Sequence, residues 1–178
     1  MPVPDFSPGE VLTAAAMDSI GLWLVKTQTI GTTQSNVLVP NAFNSNFENY
    51  KIVLIGGVGS VGQAINLQLD GSAVGYYGTT LTSPYAGGAP NNNNINAASS
   101  WTFAGTSNTV QNFMSVEIFN PQKAKVTMVN GTYVNPASGS ISGFFSGFHD
   151  SATAFTGFRL IVGGNMTGGT IRVYGYRD

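Results

Sequence analysis

The stretch Gln63-Ala64-Ile65-Asn66-Leu67-Gln68-Leu69-Asp70-Gly71 decides the class of fold. Ile65, Leu67 and Leu69 alternate with Asn66, Gln68 and Asp70, the period of a strand with one dry face and one wet face. Asp70-Gly71 is strong hairpin chemistry and predicts a turn into a second strand over 73–80, which contains Tyr76-Tyr77. On the N-terminal side, Tyr50-Lys51-Ile52-Val53-Leu54-Ile55 is rich in β-branched residues and predicts another strand. Between the two lies Gly57-Val58-Gly59-Ser60-Val61-Gly62, a literal GxGxxG. A dinucleotide site needs a helix directly after those glycines, and an acidic residue about 20 positions on to meet a ribose. Here the period-two pattern follows at once and Asp70-Gly71 ends it before a crossover helix has room to form. The glycines therefore read as a glycine-rich β-hairpin connection.

The same strand-and-turn grammar extends in both directions. Further strands are predicted over 22–30, 101–103, 113–119, 124–129, 141–148, 158–162 and 170–176, and Asn130-Gly131, Ser138-Gly139 and Gly163-Gly164 read as turns between them. About ten short strands at such spacing predict an all-β chain, an antiparallel β-sandwich of the jelly-roll kind. The segment 83–100, with Pro84, Gly87-Gly88, Pro90 and the run Asn91-Asn92-Asn93-Asn94, reads as a long loop. No repeat period of a propeller or β-helix is visible.

The surface implied by this composition is unusual. Seven Lys+Arg and eight Asp+Glu make only 8% of the 178 residues, with a formal net charge of -1. Ordinary soluble domains carry about a quarter charged residues, and charge is what keeps lone molecules apart. A surface hydrated by Asn, Ser, Thr, Gln and Gly instead suits a part that sits against other protein. The hydrophobic fraction of 42%, with eleven Phe, is enough for a core. No cysteine is present, which excludes thiolate catalysis, Cys-bound zinc and disulfides. The cations are scattered, so nucleic acid is not an expected partner. No apolar stretch approaches the ~18 residues of a membrane helix, and Met1-Pro2-Val3-Pro4-Asp5 has neither the basic nor the apolar part of a secretory signal.

Residues 7–21 carry a helix signal. Ser7 and Glu10 stand at capping-box spacing, Pro8 occupies the first helical position and Gly21 a C-terminal one. Val11, Leu12, Met17 and Ile20 supply the apolar positions. A helix this short must dock, either on its own domain or, as an attachment segment, on a neighbour. The expected organisation is an anchoring segment over 1–30 and a β-sandwich domain over 31–178.

Catalytic constellations are sparse. His149 is the only histidine, and its neighbour Asp150 points away from it on a strand or turn. No GxSxG elbow accompanies it, so it reads as a surface turn residue and the chain as a non-enzyme. The carboxylates stand singly, which predicts no metal centre and no cofactor. The best binding signal is the set of aromatics flanking the Asn-rich segment: Tyr76, Tyr77, Tyr85 and Trp101. Aromatic faces beside amide side chains suit either a neutral glycan or a protein contact, and packing in the core is the plainer role for part of the set.

Three stretches carry a family resemblance. Phe6-Ser7-Pro8-Gly9-Glu10-Val11-Leu12-Thr13-Ala14-Ala15-Ala16-Met17-Asp18-Ser19 resembles the opening of tailed-bacteriophage tail-fibre and minor tail proteins. Phe47-Glu48-Asn49-Tyr50-Lys51-Ile52-Val53-Leu54-Ile55 is similar to a strand of their β-domains, and Gly169-Thr170-Ile171-Arg172-Val173-Tyr174-Gly175-Tyr176 to their closing strand. The resemblance implies a virion location, a jelly-roll-like domain and a homotrimer. Its partners would be other tail or capsid proteins and a host-surface glycan, and it carries no catalytic residues across. A capsid decoration or head-fibre protein is the alternative within this class; a free carbohydrate-binding module is the alternative outside it.

Overall fold

Alternation of side chains, the signal read around Ile65, organises the whole molecule. The computed structural model describes residues 21–136 and 141–176, and every regular element among them is a β-strand. In chain order these are β1 (Trp23–Thr29), β2 (Gln34–Val39), β3 (Asn49–Ile55), β4 (Val58–Gly59), β5 (Gln63–Leu69), β6 (Tyr76–Pro84) and β7 (Asn91–Ala98). They continue as β8 (Trp101–Ser107), β9 (Phe113–Phe119), β10 (Thr127–Asn135), β11 (Ile141–His149), β12 (Phe158–Thr167) and β13 (Thr170–Tyr176). The helix expected over 7–21, with Val11, Leu12, Met17 and Ile20, lies outside the described residues apart from Gly21.

All pairings are antiparallel, and the ladder forks at β9. One branch runs β1-β13-β3-β9-β10-β11-β6-β7, and the other runs β2-β12-β5-β8. The fork arises because β9 hands over its neighbour along one edge. Ser115 to Phe119 pair with β10, whereas Met114 and Phe113 pair with Gly105 and Thr106 of β8. Gly105 makes this close crossing feasible: a Cβ there would stand 2.6 Å from the Met114 Cβ and from the Phe113 carbonyl oxygen. The Thr106 hydroxyl then ties β8 to β10 by donating to the Val134 carbonyl at 2.6 Å.

Register carries apolar rows across the strands. In the long branch Val173, Ile52, Val116, Gly131, Phe145 and Thr80 lie side by side. In the short branch Val37, Leu160, Leu67 and Trp101 do the same. Both rows feed one contiguous buried cluster, so the two branches share a core. Aromatic side chains fill it by lying over glycines of other strands, where a side chain would leave no space. A Cβ at Gly131 would meet the Phe145 ring, one at Gly143 the Tyr133 ring, and one at Gly147 the Trp101 indole nitrogen at 3.0 Å.

Several sequence expectations need correction. Asn130-Gly131 is not a turn but the middle of β10, with Gly131 seating Phe145. Gly163-Gly164 lies inside β12, at the irregular stretch between the part paired with β5 and the part paired with β4. Gly164 N–H there donates to the Gln63 side-chain oxygen instead of to a ladder carbonyl. Asp70-Gly71 does make a tight turn, closed by Ser72 N–H donating to the Leu69 carbonyl at 3.2 Å. It does not make a hairpin, because β5 pairs with β12 and β8 while β6 pairs with β11 and β7. The turn passes the chain from one branch to the other. The long loop over 83–100 is also mostly strand: Asn91 to Asn94 pair with Thr82 to Thr79, leaving only 85–90 as the connection.

Candidate functional site

Adjacent residues on a strand face opposite ways, and that separates the four aromatics singled out in the sequence. Tyr76 and Trp101 point into the core and are 0% exposed. Their rings meet edge to face at 4.9 Å. The Tyr76 hydroxyl accepts from Leu69 N–H at 2.7 Å and donates to the Ser72 carbonyl at 3.0 Å. Burial pushes its pKa up to about 12, against the lowering effect of the Leu69 N–H and of the Ser72 side chain. The Trp101 indole N–H points at the Tyr77 and Phe148 carbonyls, both at 3.3 Å. Tyr77 lies on the outer face, stacked on Phe148 at 5.1 Å and 10°. Tyr85 stands 57% exposed in the connection between β6 and β7. The four therefore form no common platform.

A cleft does exist beside the Asn-rich strand. Thr80 and Thr82 of β6 lie opposite Asn93 and Asn91 of β7 and share their face. Across from them stands Phe103 of β8, and Pro84 and Ile141 close one end of a cavity of about 320 Å³. Phe103 reaches this place through a bulge. The register of β8 against β5 shifts between Gly105 and Trp101, and Phe103 itself has a φ of 57°. Positive φ is a genuine outlier for so bulky a residue, and bulges re-aim side chains in this way. Behind the cleft, the Phe103 ring packs on Tyr133 at 5.8 Å, and the Tyr133 hydroxyl is 2.6 Å from that of Thr82.

The outer face of the long branch is the second surface of interest. Phe119, Met128, Phe148 and Tyr77 line up across β9, β10, β11 and β6. A parallel row runs Thr132, Phe144, Leu81 and Asn92. Met128, Phe144 and Phe148 are 51%, 50% and 42% exposed, more than sheet residues that merely graze solvent. Between the rows lies a polar band with Lys51 opposite Glu117, then Asn130 and Ser146. A groove of about 460 Å³ opens over that band. Phe144, Ser146 and Phe148 share one face of β11, and pairing with Met128, Leu81 and Tyr77 makes that face a patch.

His149 is a core residue, not a surface one. It closes β11 at 1% exposure, edge-on to Tyr76 at 4.7 Å and Phe155 at 5.2 Å. Its Nε2 lies 2.9 Å from the Ser72 hydroxyl and 3.0 Å from the Val74 carbonyl. The pair looks like half a catalytic dyad, but Nδ1 accepts from Ser151 N–H at 3.3 Å. That bond uses Nδ1 as an acceptor and leaves Nε2 as the ring donor, facing the Val74 carbonyl. A base for Ser72 would need the opposite tautomer, held by an acceptor at Nδ1, so the arrangement is structural.

The GxGxxG glycines also serve packing, as part of the connection from β3 through β4 to β5, though without a hairpin between β3 and β5. Gly57 has a φ of 66°, and a Cβ there would strike the Gly168 carbonyl. A Cβ at Gly59 would strike the Ser107 hydroxyl. Among the described residues no group of three or more His, Asp or Glu could hold a metal ion, and no helix is long and apolar enough to cross a membrane. No family model, no curated protein and no solved structure matches this chain.

Proposed function

We propose that this chain is a structural subunit of a tailed-bacteriophage virion, assembling with copies of itself, as a homotrimer, and with other tail or capsid proteins. The observation that carries the reading is the outer face of β9, β10, β11 and β6. It leaves Met128, Phe144, Phe148 and Leu81 in solvent in a chain with only 8% charged residues. Two exposed apolar rows flanking a narrow polar band, on a protein with little charge to keep copies apart, suit an intersubunit surface. In this reading the two branches of the ladder are the layers of a jelly-roll-like β-sandwich, since both deliver side chains to one core. Of the anchoring segment expected over 1–30, the part before β1 does the docking, with Val11, Leu12, Met17 and Ile20 on a virion neighbour, since β1 pairs with β13 and Ile30 belongs to the core. The strand-connecting loops face outward for adhesion to a host-surface glycan, and no catalysis is assigned.

Light scattering behind a sizing column tests this. A homotrimer has a native mass near three times 18.6 kDa. Replacing Met128 and Phe144 together by Lys is expected to yield folded monomers, because each new ammonium would have to be desolvated at the interface. A wild-type monomer, or a double variant that remains trimeric, overturns the face as the assembly surface. A carbohydrate-binding module is the second reading, and the cleft beside Phe103 favours it.

A further inference from the structure

We infer that the cleft between β7 and the bulge of β8 is a binding site for a single neutral pyranose sugar. The inference deepens the adhesion half of the proposed function and does not depend on the assembly face. Four observations converge. First, the lining is uncharged throughout: Thr80, Thr82, Asn91, Asn93, Phe103 and Ile141 are representative of it. An anionic ligand entering such a cleft would lose hydration and find no cation. Second, the polar groups open to a ligand are the exposed primary amides of Asn91 and Asn93, whereas Thr80 is 1% exposed and the Thr82 hydroxyl is held by Tyr133. Primary amides both donate and accept. Sugar hydroxyls also do both, so each can be matched without placing a charge.

Third, Phe103 is swung toward β6 and β7 at the cost of a left-handed backbone. A bulky side chain held at a φ of 57° within a strand bulge is the kind of local strain that clusters at ligand sites. Its ring presents an apolar face, fixed from behind by Tyr133, against which the C–H side of a pyranose can lie. Fourth, the volume of about 320 Å³ stands at the lower end of the range for small-molecule sites, roughly 300–1,000 Å³. That suits one ring.

The test is a titration of the full-length ¹⁵N-labelled chain, followed by amide chemical shifts. Glucose, galactose, mannose and N-acetylglucosamine are the neutral probes, and N-acetylneuraminic acid is the anionic control. At least one neutral sugar is expected to shift the amides of Asn91, Asn93 and Phe103 saturably, with a Kd on the order of millimolar. The anionic sugar is expected to leave those signals in place. Asn93→Leu, at an exposed edge position, is expected to raise the Kd at least tenfold while the remaining spectrum is preserved; Asn91→Ala serves the same purpose should Asn93→Leu misfold. The inference is overturned if all four neutral sugars leave the cleft amides unmoved, if the shifts map to another surface, or if both variants bind as the wild type does. Native mass is read on the same samples, so a failed sugar site and a failed assembly face are told apart.

Discussion

Replacing Trp101 by Ala separates a structural aromatic from a ligand-binding one. The indole is 0% exposed, edge-on to Tyr76 at 4.9 Å, and seated over Gly147, where a Cβ would come within 3.0 Å of Nε1. An aromatic side chain of this kind buries about 150–250 Å², equivalent to about 4–6 kcal/mol at ~25 cal/mol per Å². Partial collapse of the cavity returns some of that, and measured Trp or Phe to Ala changes in cores cost about 3–5 kcal/mol. The two indole hydrogen bonds are long, at 3.3 Å each, and add little. A loss of about 4 kcal/mol is therefore expected, which lowers the urea midpoint by about 2 M if the denaturant slope is about 2 kcal/mol per M. Trp101→Phe keeps most of the burial and should lose about 1–2 kcal/mol. Tyr85→Ala, at a position 57% exposed, should stay within about 0.5 kcal/mol of the wild type. Far-UV circular dichroism in urea reads all three. A Trp101→Ala protein with wild-type stability would refute the packing argument, and if it also lost sugar binding it would return Trp101 to the ligand site.

Four further outcomes are expected. Gly57→Ala adds a left-handed alanine at a φ of 66° and a collision with the Gly168 carbonyl, so it should cost about 2–4 kcal/mol. Gly71→Ala, with a φ of 83° but nothing within 4 Å, should cost only about 1 kcal/mol in the same urea assay. Alkaline unfolding should begin above pH 10: burial raises the Tyr76 pKa from 10.0 to about 12, so the native state holds a proton that the unfolded chain releases first. The corresponding stability, on the order of 2 kcal/mol, is complete below the unfolded value and disappears as pH climbs toward 12. Tyr50 and Tyr133 are raised by burial in the same direction; Tyr76→Phe should flatten the decline, and an unchanged slope would contradict the assignment. Deleting residues 1–20 should leave a folded β-domain that no longer joins its assembly, and loss of the cooperative unfolding transition would instead place that segment in the core.

Strand content was legible wherever alternation was strong. Residues 113–119 and 170–176 were bounded as β9 and β13 now stand, and residues 50–55 fall one short of β3. Reading failed where residue type and environment disagree. Four consecutive asparagines have little intrinsic tendency toward strand, yet they pair along β6 because its backbone edge offers the hydrogen bonds. Asn130-Gly131 carries turn chemistry, but Gly131 is needed in mid-strand to seat Phe145. Of the candidate site, the Asn-rich segment and its neutrality were visible. Phe103 was not, since a bulge is a property of two paired strands.

What the sequence alone determined is the class of the chain: alternating apolar residues demand strands with one buried face, and a charge fraction of 8% demands a surface hydrated by neutral groups. What only the tertiary structure decided is partnership. Whether Asp70-Gly71 returns the chain to its neighbour or passes it to the other branch, and whether Trp101 meets solvent or Gly147, depends on which strands pair. Pairing is set by free energy shared among residues far apart in the chain. Period-two alternation specifies the face each side chain takes but leaves open the strand that will lie beside it.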